Sequence, residues 1–375
     1  MRALVIGGGI GGLAAATALR RAGHEVTVFE RAERFGEVGG GLAISANALA
    51  ALAALGHRET ALAQGALGNR LLVRAAAGTP LADVRLEPGK ESLGIHRAAL
   101  LDVLREGAGA VDVRLGAVCT SVSQDPTGVS ATFGDGSVER GDFLVGADGI
   151  GSIVRTTLFG VEPARFAGYV GWRAIASADP QLIDRGVFWE TWGRGVRFGC
   201  VEIGGGRIYW FVADSATEDA PEPPAGPKRA FLDRFHAWHA PIVRIIEATP
   251  EDALTRTLIY DRKPIDRWGK GRITLLGDAA HPMTPNLGQG ASQALEDAAV
   301  LGALAKDDSD PATFLRAYER RRVARANMIV RRSRQVGRVA QARNPLVCAL
   351  RDRVLRLTPA RVQQAQQTKL LAFEV

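Results

Sequence analysis

Cysteine is scarce in this 375-residue chain: Cys119, Cys200 and Cys348 stand far apart and form no C-x-x-C pair. That excludes a disulfide framework and a thiolate metal site, and leaves reduced, mostly buried thiols. Long apolar runs are also missing, so no integral membrane segment is expected. No charged and apolar leader precedes the first strand, so a cytoplasmic location is expected. No Ser-His-Asp set and no paired carboxylates stand out. His236 and His239 have metal-like spacing but lack a Cys or acidic set to complete a site. They are expected on a surface helix, with no metal.

Acidic residues are outnumbered, 40 against 47 basic, for a net charge of +7. The excess falls late, at Arg316, Arg320, Arg321, Arg322, Arg325, Arg331, Arg332, Arg334 and Arg338. An anion-attracting face and a solvated helix face both fit. Without aromatic interleaving or a nucleic-acid motif, the solvated face is favoured and nucleic acid is not an expected partner. A hydrophobic fraction of 46% with 23% charged suits a globular enzyme, and the length suits two domains or one large one.

What is present begins at the N-terminus. Ala3-Leu4-Val5-Ile6 is a strand-like run that meets Gly7-Gly8-Gly9-Ile10-Gly11-Gly12, a G-x-G-x-x-G at Gly7, Gly9 and Gly12. An Ala/Leu-rich helix, a second strand Val26 to Phe29 and a terminal Glu30 follow. This β-α-β unit is built for a dinucleotide. Gly7 allows the tight turn, Gly9 lets a pyrophosphate reach the backbone, and Gly12 lets helix and strand pack. The pyrophosphate would sit on the helix N-terminus. Glu30, 18 positions past Gly12, is placed to bind an adenosine ribose and would repel a phosphate there. This stretch does not choose between NAD and FAD.

Further on, Gly39-Gly40-Gly41 suggests close approach of backbone to a ligand. A helix from about Asn47 to Leu55 follows, with Asn47 a candidate cap. Asn69 to Ala75 and Leu81 to Leu86 read as a hairpin of a second, antiparallel sheet. Arg97 opens a helix and is either a phosphate or flavin contact or an ordinary surface arginine. Phe143-Leu144-Val145 is a buried strand running into a loop with Asp148 and Arg155, where open α/β sheets bind ligands. Arg155 is close enough in sequence for Asp148 or a phosphate to engage it. From Phe166 to Asp214 the chain turns to short, alternating, aromatic-rich strands, an antiparallel sheet with Arg173 and Arg197 among its core residues. Buried arginines need anionic or carbonyl partners, and a planar, polar-edged substrate is one. Phe231 to Ile246 reads as one helix. Ile273 to Leu276 is a strand leading through Gly277, Asp278, His281, Pro285, Gly288 and Gly290 into a helix from about Ser292. Such a helix start stabilises negative charge. A long helix, Ala312 to about Val339, and one or two amphipathic tail helices close the chain.

Taken together, the three loops resemble the class A flavoprotein monooxygenases, the para-hydroxybenzoate hydroxylase superfamily. The resemblance spans Val5 to about Arg338. It rests on Gly7 to Glu30, on the "DG" motif Gly146-Ala147-Asp148-Gly149 with Ser152 and Arg155, and on the "GD" motif Gly277-Asp278-Ala279-Ala280-His281 with Pro285 and Gly288-Gln289-Gly290. Gly168-Tyr169-Val170-Gly171-Trp172 is similar to the zeaxanthin epoxidase-like and salicylate or urate hydroxylase-like branch.

The resemblance implies an α/β fold: a discontinuous Rossmann-type FAD-binding domain (1–70, 95–165 and 265–335), an inserted antiparallel substrate sheet (71–94 and 166–264) and a helical tail (336–375). It implies noncovalent FAD, with NAD(P)H as transient reductant. Gly9, Gly11, Gly12, Leu13, Glu30, Arg31, Arg97, Val118, Asp148, Arg155, Asp278, Pro285, Gly288, Gly290 and Ala291 would bind the cofactor. Arg197 and Tyr209 would polarise the substrate, with ordinary sheet packing as their alternative. His281 would shape its loop. The implied reaction is hydroxylation or epoxidation of an aromatic or conjugated small molecule by O2 through a C4a-hydroperoxyflavin. A reductase or halogenase of the same fold is the alternative, although the halogenase W-x-W-x-I-P stretch is missing. A monomer or homodimer is expected.

Overall fold

The structure is a computed structural model that describes residues 1–36, 40–177, 179, 183–306 and 310–374. Strand Arg2–Ile6 runs inside a six-stranded sheet, parallel to Glu25–Phe29 on one side and to Phe143–Gly146 on the other. Ile273–Leu275 and Asp112–Arg114 extend the sheet in parallel, and the edge strand Gly269–Lys270 runs antiparallel. The middle strands are covered on both faces, which is why they read as unbroken apolar runs. Helices Ile10–Arg21 and Gly290–Ala305 lie together on this sheet. Gly302 permits that contact, since a Cβ there would lie 2.6 Å from the Ala18 Cβ. A three-stranded meander, Cys119–Asp125, Gly128–Phe133 and Val138–Gly141, sits beside the sheet. Its Phe133 ring packs 4.6 Å from that of Phe29.

The aromatic stretch forms a seven-stranded sheet in the order Thr255–Asp261, Arg165–Ser177, Arg207–Ser215, Val196–Glu202, Val187–Trp192, Arg70–Ala75, Pro80–Arg85. The expected hairpin is there, but the sheet is not wholly antiparallel: Val187–Trp192 and Arg70–Ala75 run parallel. They come from separate stretches of the chain, so no hairpin constrains their relative direction. Alternation sorts the side chains. Trp172, Phe198 and Trp210 are buried on one face with Phe231, Phe235 and Ile245. The other face looks toward the nucleotide half. Between the halves lies a small antiparallel sheet, Gly41–Ile44, Ser92–His96 and Ala66–Gly68.

Three helix expectations change. Phe231 to Ile246 is two helices, Pro227–Phe235 and Ile242–Glu247, because Pro241 cannot continue the first. Ser45, not Asn47, stands at the N-cap of helix Ala46–Leu55, and Asn47 turns inward. The arginine-rich helix Pro311–Ala340 is not simply a solvated face. Arg322 is buried, Arg325 pairs with Glu296, and Arg334 pairs with the buried Asp261. The tail is two helices, Pro345–Leu357 and Ala360–Leu371. The second returns to place Leu370 and Leu371 against Ile329, Met283 and Leu287.

Candidate functional site

The first loop divides labour among its glycines. Gly7 has φ +106°, and a Cβ there would lie 2.4 Å from the Ala147 carbonyl oxygen. At Gly12 a Cβ would lie 1.8 Å from the Gly7 oxygen, and at Gly11 2.7 Å from Leu276. A Cβ at Gly9 would meet nothing within 4 Å. The helix that starts here has no side-chain cap and no acid in its first turn. Its free N–H groups therefore face open space, an anion site by construction. Leu13 contributes packing: it is fully buried, and its amide donates to the Gly9 oxygen at 3.0 Å. Glu30 accepts from the Gly8 amide at 2.6 Å and the Ala32 amide at 2.9 Å, which aims the carboxylate across the loop. Exposed Arg31 follows it, and half-exposed Val118 adjoins Ala117, whose amide donates to the Glu30 carbonyl.

In the second loop Asp148 accepts from the Ser152 hydroxyl at 2.5 Å and from the amides of Ile153 and Val154 at 2.8 and 3.2 Å. It thus satisfies the start of helix Ile153–Phe159; burial pushes its carboxyl up while these bonds pull it down. Arg155 does not engage Asp148. It is buried and donates to the carbonyls of Ala279 and Ala280 at 3.2 and 2.9 Å, and to Glu162 at 3.0 Å. Arg155 therefore straps the second loop to the third.

In the third loop Asp278 is open to solvent through the cleft but surrounded by protein on its other sides. That crowding raises its carboxyl above the usual range, while His281 and Arg97 pull it down. Arg97 feels the charges of Arg173, Asp278 and Glu30, so these groups share one cleft. Pro285–Leu287 forms a single turn, Gly288 has φ +61°, and a Cβ at Gly290 would meet nothing within 4 Å. Ala291 follows, half-buried, in the first turn of helix Gly290–Ala305. Gln289 at the N-cap turns its side chain inward to Asn47 and Gln293, so this helix start is also uncapped.

Beneath lies a buried polar network that the sequence reading missed. Arg322 bridges Glu296 and Asp297, and His281 meets Asp297 at 2.6 Å with both side chains fully buried. Burial alone would raise Asp297, but His281 and Arg322 more than offset it and hold the carboxyl low. His281 holds its loop to this network through Asp297, which also accepts from the Gly277 amide at 3.1 Å. Only the i, i+3, i+4 spacing of Gln293, Glu296 and Asp297 hinted at a shared inward face.

Tyr209 and Arg197 lie on the cleft side of the seven-stranded sheet. Register places Tyr209 opposite Val201 and Ile175, and Phe211 opposite Gly199 and Arg173. The Gly40-Gly41 backbone passes directly over the Tyr209 ring, where a Cβ would lie 2.5 and 2.3 Å from ring and Cβ atoms. Those two glycines thus permit a close approach to Tyr209; Gly39 lies outside the described residues. Burial pushes the Tyr209 phenol up to about 12, with Arg173 opposing. Arg197 is 2% exposed; its Nη1 donates to Glu190 at 3.2 Å and its Nη2 to Asn286 Oδ1 at 2.6 Å, while Nε is buried without a partner. Asn286 sits in the third loop and also accepts from the Tyr169 hydroxyl. Arg173 completes the wall and donates to Thr257 at 2.7 Å. Its place beside Arg97 and Tyr209 needs the fold, because strand alternation alone does not say which face meets the other domain.

The histidine pair serves structure. His239 meets Thr191 and the Ala240 carbonyl, His236 meets the Asp233 carbonyl, and no metal-binding group exists among the described residues. The cysteines are free, two of them buried.

Two uncapped helix starts, an open carboxylate and an arginine between them, facing a sheet wall, fit a flavin dinucleotide: phosphates at one helix start, the ring edge at the other. Fold and cleft define a Rossmann-type flavoprotein with a substrate sheet. Residues 1–333 match the FAD binding domain family, and the chain belongs to it. It is 39% identical to aurachin C monooxygenase/isomerase of Stigmatella aurantiaca over 99% of this chain and 97% of that one. It is 35% identical to the FAD-dependent urate hydroxylase of Klebsiella pneumoniae, covering 89% of each. The structure of Klebsiella pneumoniae HpxO with FAD and uric acid superposes with a TM-score of 0.93 at 29% identity, covering 99% and 96% of the chains. The chain is an FAD-dependent monooxygenase, an oxidoreductase of the class A flavoprotein fold.

Proposed function

We propose that this enzyme uses NAD(P)H and O2 to hydroxylate or epoxidise a planar, conjugated small molecule held between the Gly288–Ala291 loop and the sheet wall. One observation carries the reading: the uncapped Gly290 helix start and the open Asp278 lie across a cleft from the Tyr209 phenol, whose hydroxyl has no partner within the described protein. Bound FAD would supply the redox chemistry that accepts a hydride and activates O2.

The chain's own groups do the rest. The Ile10–Arg21 helix start and Arg97 hold phosphate, Glu30 holds the ribose, and Asp278 holds a ribityl hydroxyl. Amides at Gly288 to Ala291 stabilise negative charge at the ring edge. Tyr209 stays a neutral donor and offers its proton in a hydrogen bond to a substrate oxygen or nitrogen. Arg197 supplies positive charge behind it and, through Asn286, fixes the ring-side loop against the sheet. The relatives are named for aurachin C, urate, 3-amino-4-hydroxybenzoate and zeaxanthin, and these names support a conjugated substrate.

The test is incubation of the yellow protein with NADH or NADPH, heavy O2 and a panel of phenolic, heteroaromatic and polyene compounds. One heavy oxygen atom in a product is the expected result. Substrate turnover without heavy oxygen would overturn the reading in favour of a reductase.

A further inference from the structure

The tail helix Pro345–Leu357 points the wrong way for a helix that merely completes a core. Leu346, Val347, Leu350, Val354 and Leu357 are 80, 50, 64, 55 and 69% exposed. At roughly 100° per residue they fall within an arc of about 100°. The opposite side is the one that docks. Cys348 and Arg351 are buried there: Cys348 Sγ meets the Ala342 carbonyl at 3.2 Å, and Arg351 Nη1 donates to the carbonyls of Ala340 and Gly193 at 3.1 and 3.3 Å. The Arg351 guanidinium also lies 5.4 Å from the centre of the Trp192 ring. These bonds fix the helix's rotation, so the apolar stripe faces outward by construction. Isolated surface leucines are ordinary, but a contiguous stripe of this kind marks a contact surface.

Charge identifies the occupant. Exposed Arg353 and Arg356 line one flank of the stripe, Arg343 precedes the helix and Arg361 follows it. The helix's acid, Asp352, is already taken by Arg351 at 2.8 Å. Pairing this face with a second copy would bring together surfaces of the same sign on a chain of net charge +7. An apolar stripe with a basic flank instead matches a helix lying in the plane of a negatively charged lipid surface. At 13 residues the helix is about 20 Å long, enough for several turns in that plane. No described helix is long and apolar enough to cross a membrane, so the contact is with the bilayer surface. We propose that the outer face of helix Pro345–Leu357 docks the enzyme on an anionic lipid bilayer, with the leucines in the headgroup–acyl boundary and the arginines on the phosphates.

The test is co-sedimentation of the FAD-loaded protein with vesicles of phosphatidylcholine mixed with phosphatidylglycerol, and with phosphatidylcholine alone. Binding to the mixed vesicles is expected, at least about tenfold stronger than to the neutral ones and weakened by salt. Leu350→Gln with Leu357→Gln should weaken it by roughly 100-fold, and Arg353→Gln with Arg356→Gln by roughly 30-fold. All four side chains are exposed, so flavin content and melting temperature should not move. No sedimentation, equal binding to both vesicle types, or variants that bind like the parent would overturn the proposal. So would a dimer, seen by light scattering, that the leucine double variant dissociates, because that assigns the face to a second copy.

Discussion

Two glycines three residues apart make opposite predictions. In Gly12→Ala the new Cβ would sit 1.8 Å from the Gly7 carbonyl oxygen, about 1.6 Å inside the 3.4 Å at which ordinary contact begins. The obstacle is backbone, and Gly7 at φ +106° is itself pressed against Ala147, so strand, turn and helix must separate. Overpacking of this kind costs ~1–3 kcal/mol, a fall of roughly 1–4 °C in the melting temperature of the flavin-free protein. In Gly9→Ala the Cβ meets nothing within 4 Å, and the backbone, φ −74° and ψ −173°, suits alanine. Flavin-free stability should hold or rise by ~0.4–1 kcal/mol. The methyl would occupy the approach to the helix start, and loss of one charge-assisted N–H contact, ~1.5–3 kcal/mol, raises the Kd for FAD roughly tenfold to hundredfold. The assay is a thermal melt of stripped protein beside a fluorescence titration with FAD. If Gly9→Ala bound FAD like the parent, or melted as early as Gly12→Ala, the assignment of packing to Gly12 and ligand approach to Gly9 would be refuted.

Tyr209→Phe should lower kcat/KM for product formation by roughly tenfold to a thousandfold while FAD affinity is unchanged, and an unaltered rate would remove Tyr209 from the site. Because burial pushes that phenol up to about 12, Tyr209 stays protonated below that pH, and a loss of activity between pH 8 and 10 that vanishes in Tyr209→Phe would contradict this. Arg322→Met strands the buried carboxylates of Glu296 and Asp297 and should cost ~3–5 kcal/mol; a melt within about 2 °C of the parent would show that the network tolerates the loss. Burial lowers His24 below its ordinary 6.5, although the Ala305 carbonyl opposes this. The unfolded chain therefore binds the proton first, and the His24 contribution, present above pH 6.5, is lost as pH falls through the lower folded value. The drop in melting temperature from pH 7 to pH 5 should be shallower in His24→Leu, and identical slopes would count against it.

Much of the cofactor half was legible because its signals are local. A strand, a G-x-G-x-x-G, a helix and an acid in order fix a β-α-β unit within about thirty residues, and the glycine spacing already separates packing from ligand approach. The second helix start was less legible: the sequence suggested a start at about Ser292, a residue suited to capping, and only the structure shows it uncapped at Gln289. Where the signal was long-range, reading failed. Arg155 stands seven positions from Asp148 yet binds the Ala279 and Ala280 carbonyls, because its helix, capped by Ser152 and held by Asp148, points the guanidinium at the third loop. Gly40 and Gly41 yield to Tyr209, more than 160 residues away. Arg322 and Arg325 looked like solvated charge, since the acids they neutralise lie on another helix.

By itself, then, the sequence determined the nucleotide-binding unit, the alternation of the aromatic strands and the family, since periodicity and short loop motifs depend on neighbours along the chain. The tertiary structure decided which face of the aromatic sheet meets the cofactor half, which arginines are buried in ion pairs, and which side of the tail helix looks outward. Those outcomes depend on burial and on partners distant in sequence, and a charge or a leucine has the same letter whether it is paired, packed or exposed.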